Sequence, residues 1–333
     1  MRHSLADALS GKAAACDIED GIMSRVICIL AAVALAAQAG PPAKSPHIVW
    51  IAGDEEYRSE EALPMLARIA EAKHGFRCTV LHAVNPATGE IDPAYQRNIP
   101  GLEALRSADL MVIFTRFRDL PDEQMRHIVE YVEAGKPVIG IRTATHAFHL
   151  RSSPTWAHWS WNSKEWDGGF GRQVLGETWI RHHGKHGQQG TRARIAPGAE
   201  GHPVLRGIRD GEIQVPTDVY AVRLPLPDGC RPLLLGEVTD GLTPDAPRAA
   251  GAVNDPMMPV AWTKTYKGGR VFTLTMGSAQ DFENAGLRRL LINAVYWALG
   301  REKGIREDFD VAPLAPYKGT PFGFGKHVRG RKP

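Results

Sequence analysis

Short apolar runs alternate with amphipathic stretches through the first half of the chain. Four of these runs predict buried strands, at residues 47–52, 77–82, 109–115 and 137–142. A helix is predicted after the first run, and Pro64 is expected in its first turn. The clearest helical pattern begins at Pro121 and ends at Gly135. Strands that alternate with amphipathic helices are typical of a parallel sheet that has helices on both faces.

The second half of the chain is less regular. Short strands are predicted at residues 192–195, 219–223, 233–236, 259–263 and 270–275. An apolar helix follows at residues 287–298 and ends at Gly300. The folded domain is therefore predicted to span residues 47–300, between a stiff proline-containing linker at 40–46 and an extended tail at 301–333.

Residues 1–39 are predicted to be a leader rather than part of the fold. Arg25 precedes an apolar run at residues 26–37, and an A-x-A cleavage motif ends at Ala39. We expect translation to begin at Met23, because acidic residues precede Arg25, so that the upstream stretch is a start-site error. The alternative is a buried amphipathic N-terminal helix. Cleavage near Ala39 predicts export to the periplasm or the cell exterior.

Composition and charge exclude several classes of protein. The 43% of hydrophobic residues supports a folded core, and the net charge of +3 is too small for a dedicated nucleic-acid binder. No segment has the ~20 apolar residues of a membrane span, so we expect no stable membrane insertion after leader cleavage. Four cysteines exclude a disulfide scaffold. After export only Cys78 and Cys230 would remain, either paired or as free thiols.

Polar side chains cluster directly after four of the predicted strands. Ligands bind at the carboxyl ends of the strands in open parallel sheets, so these clusters predict one shared site. The alternative is that the residues of each cluster are ordinary solvated loop residues. The clusters are Asp54, Glu55, Glu56 and Arg58; Arg116, Arg118 and Asp119; Arg142, Thr143, Thr145 and His146; and Ser278, Gln280 and Asp281.

The turn at residues 140–146 has the layout of a strand-to-helix elbow. In hydrolases such an elbow presents a serine or cysteine nucleophile. Arg142 stands at the central position here, and a guanidinium is not a nucleophile. Arginine can instead hold a carboxylate, a phosphate or a developing enolate oxygen. Thr143 has a hydroxyl that can in principle attack, but the sequence shows no base for it.

A histidine cluster predicts a metal site or a general acid–base group. His182, His183 and His186 lie close enough in sequence to hold a divalent, zinc-like transition metal, and Asp54, Glu55 or His146 could complete the set. The alternative is a polar loop with hydrogen-bonded histidines. A bound nucleotide is not expected, because the chain has no Walker loop and its glycines near residue 170 do not complete G-x-G-x-x-G.

Five of the eight tryptophans lie within residues 156–179. Their broad rings with a donor N–H suit a pyranose, which is apolar on one face and polar at its edges. Trp159 and Trp166 are therefore predicted to bind substrate, together with Arg116 and Ser278. The alternative is that the tryptophans fix a long irregular loop to the domain.

The ordered set of motifs resembles the ThuA-like (trehalose-utilisation) family, in the exported form common in planctomycete-type bacteria. The motifs begin at Gly53 (GDEEYRSEEALP), Tyr131 (YVEAGKPVIGIRTATHAF), His182 (HHGKHG), Gly201 (GHPVLRGI) and Met258 (MPVAWTKTYKGGRVFTLTMGSAQDF). The resemblance covers roughly residues 47–325, including a Phe-Gly-Phe-Gly stretch near the end.

This resemblance implies a class I glutamine amidotransferase-like fold, which is a three-layer, flavodoxin-like, mostly parallel sheet with helices on both faces. True amidotransferases carry their catalytic cysteine at the elbow, where this chain has Arg142, so no glutaminase activity is expected. Many shorter family members have histidine at the positions of Arg142 and Ser278. The family's association with oxidised sugars implies keto-sugars or their glycosides as the substrate class.

The predicted function is an exported enzyme that removes the acidic proton beside a sugar ketone, leading to isomerisation, epimerisation or glycoside elimination. His146, His183 or Glu55 is the expected base, and Arg142 or a metal ion is expected to stabilise the enolate. One alternative is a non-catalytic sugar-binding module, and another is a hydrolase with Thr143 or Ser278 as nucleophile. The candidate catalytic residues are Arg142, His146, Thr143, Glu55, Asp54 and Asp281.

Overall fold

The computed structural model describes residues 44–333, so the predicted leader at 1–39 lies outside the described residues. The strands are β1 (His47–Gly53), β2 (Arg77–His82), β3 (Leu110–Thr115), β4 (Val138–Ile141), β5 (Arg181–His183), β6 (Gly190–Ile195), β7 (Gln214–Val215), β8 (Val219–Ala221), β9 (Arg231–Thr239), β10 (Met258–Tyr266) and β11 (Gly269–Leu274). The α-helices are α1 (Ser59–His74), α2 (Asp122–Glu133), α3 (Gly169–Gln173) and α4 (Ala285–Ala298). Within this described part, no helix is long and apolar enough to cross a membrane.

Nine strands form one mixed sheet in the order β2-β1-β3-β4-β11-β10-β9-β6-β7, and β5 pairs with β8 in a small second sheet. The first five strands in this order are parallel to their neighbours, and the remaining pairs are antiparallel. The order β2-β1-β3-β4-β11 is the flavodoxin-like order, with a switch in direction between β1 and β3. The predicted three-layer α/β fold is therefore confirmed, with an antiparallel extension on one side.

The central strands are buried on both faces because their alternate side chains enter different cores. Ile48 and Trp50 of β1 contact the core that contains α1 and α4, whereas Val49 and Ile51 contact the core that contains α2. Parallel strands that are covered by helices on both faces have sequences that are continuous apolar runs, and this chain shows that pattern.

The first helix begins earlier than predicted. Arg58 has a left-handed backbone with φ of 62°, and α1 starts at the next residue, Ser59. Pro64 therefore lies inside the helix rather than in its first turn, and the missing proline N–H leaves one hydrogen bond of the second turn unmade. The short strands β5 and β7 were not predicted, because two or three residues are too few to show a periodic pattern.

The C-terminal residues lie along the surface of the domain. Residues 45–333 form one compact unit, in which residues 305–333 contain no helix or strand. Phe309 and Val311 are buried against α1 and α4, and the carbonyl of Arg331 accepts a hydrogen bond from the N–H of Ile91 at 2.8 Å. The tail is therefore part of the folded unit.

The cysteines of the described residues are both free. Cys78 lies in β2 at one edge of the main sheet, whereas Cys230 immediately precedes β9 on the antiparallel side. Five strands separate β2 from β9 in the sheet, so these two thiols do not meet.

Replacement of Gly171 by alanine tests how closely α3 packs on the turn that follows β4. A Cβ at residue 171 would collide with the carbonyl of Thr145, which is backbone and cannot rotate away. We expect Gly171→Ala to lower the free energy of unfolding by about 1–3 kcal/mol, measured by urea denaturation. Gly201→Ala is the matched control, because nothing lies within 4 Å of its Cβ position, and its stability should stay close to wild type. Equal stabilities of the two variants would contradict this packing.

Candidate functional site

The predicted site lies where β1, β3, β4 and β11 end, and its backbone is unusual. Arg58, Phe117 and Arg142 have positive φ angles of 62°, 46° and 48°. Each of them follows the carboxyl end of one of these strands. A left-handed backbone is uncommon for residues with a Cβ, and it is maintained only where the surrounding structure determines it. The elbow predicted after β4 is therefore present, and Arg142, the first residue after the strand, is its strained residue.

Arg142 is fully buried and its terminal N–H groups are all used within the protein. One terminal nitrogen, Nη1, donates to the carbonyls of Asp218 and Thr275, both at 2.7 Å. The other, Nη2, donates to Asp218 Oδ1 at 2.9 Å and to the hydroxyl of Tyr57 at 3.3 Å. The guanidinium also lies 4.5 Å from the ring centre of Tyr57 and 3.8 Å from that of Tyr220. Arg142 thus positions Asp218 and has no exposed surface with which to hold a substrate enolate.

Asp218 connects Arg142 to two histidines. Its Oδ2 lies 2.7 Å from Nδ1 of His182, and its Oδ1 lies 3.0 Å from Nδ1 of His186. The second ring nitrogen of His186 faces Glu56 Oε1 at 3.4 Å. His182 is brought here by β5, since it pairs with Tyr220 of β8. Asp218 therefore fixes the orientation of both imidazole rings through their Nδ1 atoms.

The charges of this group follow from its contacts. Burial alone would raise the pKa of Asp218, but hydrogen bonds from both histidines and the Arg142 charge hold that pKa well below its usual range. Hydrogen bonds to Asp218 and Glu56 raise the pKa of His186 to about 9, against the opposing effect of burial. At neutral pH the site therefore contains an ionised Asp218 and a protonated His186.

A second ion-pair network borders the histidines. Arg116 bonds Glu55 Oε1, and Arg118 Nη2 donates to Glu55 Oε2 at 2.8 Å. Arg116 also lies 3.4 Å from Glu56 Oε2, so Glu56 joins this network to His186. Because both oxygens of Glu55 are paired with arginines, Glu55 is not free to act as the predicted base.

His146 lies in an aromatic enclosure beside the histidine pair. Its ring centre is 4.9 Å from those of Phe117 and Trp179, and 5.8 Å from that of Tyr220. Burial, together with the positive charges of Arg116 and Arg142, lowers the pKa of His146 well below its usual value. His146 is therefore a neutral ring, 2% exposed, whose Nδ1 lies 3.3 Å from the Thr145 hydroxyl and whose other contacts are aromatic, and this burial does not favour it as the base.

Four of the predicted site residues lie beneath the rim and build its loops. Asp54 accepts hydrogen bonds from the Thr143 hydroxyl and from the backbone of residues 56 and 57. Asp281 accepts from the Ser278 hydroxyl at 3.0 Å and from the N–H of Gly277 at 2.7 Å. None of the four is more than 1% exposed. The hydroxyls of Thr143 and Ser278 are consequently not accessible as nucleophiles.

Three predicted residues lie apart from the histidine pair. His183 follows His182 in β5 and faces the other way, with Nε2 2.6 Å from the carbonyl of Val253. Trp159 stacks on Phe170 within the core that contains α2. Trp166 contacts Trp159 and Tyr266, beside the turn where β11 begins rather than where it ends. Both tryptophans pack the long loop onto the domain away from the histidine pair, so their predicted role in substrate binding stays a prediction.

Sequence reasoning missed Asp218, Tyr57, Tyr220 and the tryptophans that do face the site. Trp179 contacts His146 and His182, and Trp161 contacts Trp179. One signal for Asp218 was available, since it is a lone acidic residue within the apolar stretch VPTDVYAV, and such residues are rarely buried unless paired. Nothing in the sequence separates Trp161 and Trp179 from Trp159 and Trp166.

The donor set of His182, His186 and Asp218 has the composition of a transition-metal site. One ligand atom from each residue lies within 4.8 Å of the others. Two imidazoles and a carboxylate are common zinc ligands. His183, which was predicted as a third ligand, is replaced in this set by Asp218.

The Arg142–Asp218 pair is expected to dominate the stability of the site. Arg142→Met or Asp218→Asn leaves one buried charged group without its partner, so each single change should lower the free energy of unfolding by about 3–5 kcal/mol. In a double-mutant cycle by chemical denaturation, the two changes should couple by about 2–3 kcal/mol.

The exposed pair Arg209–Glu212 serves as the control cycle. Arg209 has 89% of its side chain exposed, so the coupling there should be at most about 1 kcal/mol. A coupling at Arg142–Asp218 no larger than the control would show that the buried pair does not organise the site.

Comparison with known proteins agrees with this fold. Residues 48–298 match the family model for ThuA, described as trehalose utilisation. A ThuA-like protein from Parabacteroides merdae is similar in structure at 16% identity, with 84% of this chain aligned to 98% of that one and a TM-score of 0.52. A cytoplasmic protein from Salmonella typhimurium aligns at 14% identity over 76% of this chain and 99% of its own, with a TM-score of 0.44. No curated protein matches significantly. Because the family model covers most of the chain, this protein belongs to the ThuA family.

Proposed function

We propose that this ThuA protein is an enzyme that abstracts the proton beside the ketone of a keto-sugar or its glycoside. The family description supports a carbohydrate-related role. The observation that carries the proposed chemistry is the 2.7 Å contact between Asp218 Oδ2 and His182 Nδ1. A carboxylate in this position keeps the proton on Nδ1 and leaves the lone pair of Nε2 for a base. His182 is also about one-third exposed, so substrate can reach it.

The proposed step uses the groups that are exposed at the rim. A carbonyl acidifies the C–H bond beside it, and Nε2 of His182 takes that proton while the electron pair moves to the ketone oxygen. Asp218 stabilises the imidazolium that forms, and the protonated His186 is the positive group beside it that favours the enolate oxygen. Return of the proton gives exchange, isomerisation or epimerisation, and loss of a leaving group from the adjacent carbon gives elimination.

This assignment changes the roles expected from the sequence. His182 replaces His146, His183 and Glu55 as the base, because the first is enclosed by aromatic rings, the second faces Val253 and the third is paired with two arginines. Glutaminase activity remains unexpected, since Arg142 occupies the elbow position where those enzymes need a thiol.

A divalent, zinc-like ion is a further part of the proposal. His182, His186 and Asp218 are the residues that would hold it. When bound, such an ion acts as a Lewis acid that polarises the ketone of the substrate. Such an ion would occupy nitrogens of His182 and His186 and would require both rings to be unprotonated, so in the metal-assisted version His182 is not the base, and metal analysis distinguishes the two versions of the site.

Replacement of His182 is the direct test. We expect His182→Gln to slow deuterium exchange into 3-ketotrehalose by about 10²–10⁴-fold, followed by NMR in deuterated buffer. His183→Gln is the matched control from the same strand, because His183 faces the opposite side and should leave exchange near the wild-type rate.

The outcomes separate the alternatives. Equal exchange rates in the two variants would remove His182 as the base. A wild-type protein that binds the sugar but exchanges no proton would instead be a sugar-binding module. Elemental analysis of the purified protein, with and without chelator treatment, decides the metal: a stoichiometric transition metal that is required for exchange supports the metal-assisted version, and its absence with full activity contradicts it.

We also propose that the protein is exported, on the strength of the leader-like sequence that ends at Ala39. Expression of the full chain in a bacterial host should give a mature protein whose first residue is Gly40, found by N-terminal sequencing of the periplasmic or secreted fraction. An uncleaved protein confined to the cytoplasm would contradict export.

A further inference from the structure

The C-terminal tail crosses the histidine pair at residues 320–325, which we call the Phe-Gly-Phe segment. The backbone of this segment is fixed on both sides of Phe322. The N–H of Thr320 donates to Glu61 Oε2 at 3.0 Å, and the N–H of Gly323 donates to the carbonyl of Glu56 at 2.7 Å. Arg58 Nη2 donates to the carbonyl of Gly323 at 3.2 Å. Residues far along the chain are thus held at the end of β1.

Phe322 closes one side of the site. Its ring centre lies 5.2 Å from that of His186 and 5.5 Å from that of Tyr57. Because Tyr57 contacts the Arg142 guanidinium, Phe322 continues a stack that begins at the buried ion pair. The role of Phe322 is therefore accounted for by packing.

Packing does not explain the position of Phe324. Its side chain is 59% exposed, more than that of any other large hydrophobic residue among the described part of the chain. Its ring centre lies 5.1 Å from the Arg116 guanidinium, which also lies 4.6 Å from the ring centre of Phe117. One aromatic face is consequently presented to solvent at the border of a charged site, although burying it elsewhere would be favourable.

The wall that carries His146 also contains unused polar groups. The indole N–H groups of Trp161 and Trp179 are buried and have no acceptor among the described residues. Trp179 contacts His182, and Trp161 contacts Phe117, which in turn contacts Arg116. Both nitrogens are closed off from solvent, so they do not belong to the surface that a ligand contacts unless these side chains move.

We propose that Phe324 is a substrate-binding residue that stacks against the apolar face of a pyranose ring and so helps to set specificity for glycosides. In this arrangement the C–H face of the sugar covers Phe324, and its hydroxyls lie beside the Arg116 guanidinium that contacts the same ring. The proposal rests on the proposed function, because it takes the same carbohydrate as the ligand of the histidine site.

The proposed role gives the exposed end of the tail a function at the border of the site. The Phe-Gly-Phe segment adds an aromatic residue to a rim that otherwise consists of charged side chains and half-buried rings. An exposed phenylalanine beside an arginine gives a sugar one apolar surface and one donor in adjacent positions, which is the usual composition of a small-molecule site.

Binding measured by titration calorimetry tests the proposal separately from catalysis. The probes are trehalose, which has no ketone, and 3-ketotrehalose. We expect Phe324→Ala to weaken binding of both sugars by about 10-fold and to raise KM with little change in kcat, since stacking acts on the bound sugar rather than on the proton transfer.

Three further variants make the result specific. Phe324→Tyr keeps the aromatic face and should restore wild-type affinity, whereas Phe324→Leu keeps apolar volume and should remain weak. Leu314→Ala is the matched control, since Leu314 is 54% exposed in the same tail and belongs to no part of the site. It should bind as wild type does.

Each outcome decides between the two proposals. Wild-type affinity in Phe324→Ala, or in Phe324→Leu, overturns the stacking role even if proton exchange is normal. A second outcome is that affinity falls in Phe324→Ala and Phe324→Leu but not in Phe324→Tyr, while the wild-type protein exchanges no proton. That outcome supports the stacking role and overturns the catalytic proposal. A wild-type protein that binds neither sugar overturns both.

Discussion

The buried ion pair between Arg142 and Asp218 is the interaction on which the site depends. Two charges removed from water are tolerated only if nearly all of their hydrogen-bonding groups are used, and here the terminal guanidinium nitrogens all have partners. That requirement fixes the left-handed elbow, the two tyrosine rings on either side of the guanidinium, and the loop before β8. The remaining oxygen of Asp218 then determines how His182 is oriented.

Depth separates the polar groups of the site by role. The lowest layer, represented by Asp54 and Asp281, satisfies backbone N–H groups and shapes the loops. The middle layer is the buried ion pair. The upper layer contains His182, His186 and Arg116, whose side chains are 19–35% exposed and can meet a substrate. A charged residue at the end of a strand is therefore a poor guide to chemistry until its depth is known.

The elbow after β4 carries a guanidinium, Arg142, rather than a nucleophile. The backbone there is left-handed, a conformation that the surrounding structure has to maintain. A guanidinium cannot attack a carbonyl, but it can keep the neighbouring carboxylate of Asp218 ionised, and Asp218 in turn contacts His182. The proposed base, His182, accordingly lies on the small β5–β8 sheet beside the main one.

The sequence alone determined the α/β architecture, because the strands and helices follow from local periodicity and from the turn residues that end them. It also predicted that polar clusters would meet at one edge, since the carboxyl ends of parallel strands lie together. Only the tertiary structure decided which members of those clusters are accessible. Asp218 lies 76 residues from Arg142 in the chain, and no local pattern records that contact. Likewise, the pairing of a three-residue strand decided that His182 rather than His183 faces the site, because alternate side chains of a strand point to opposite sides.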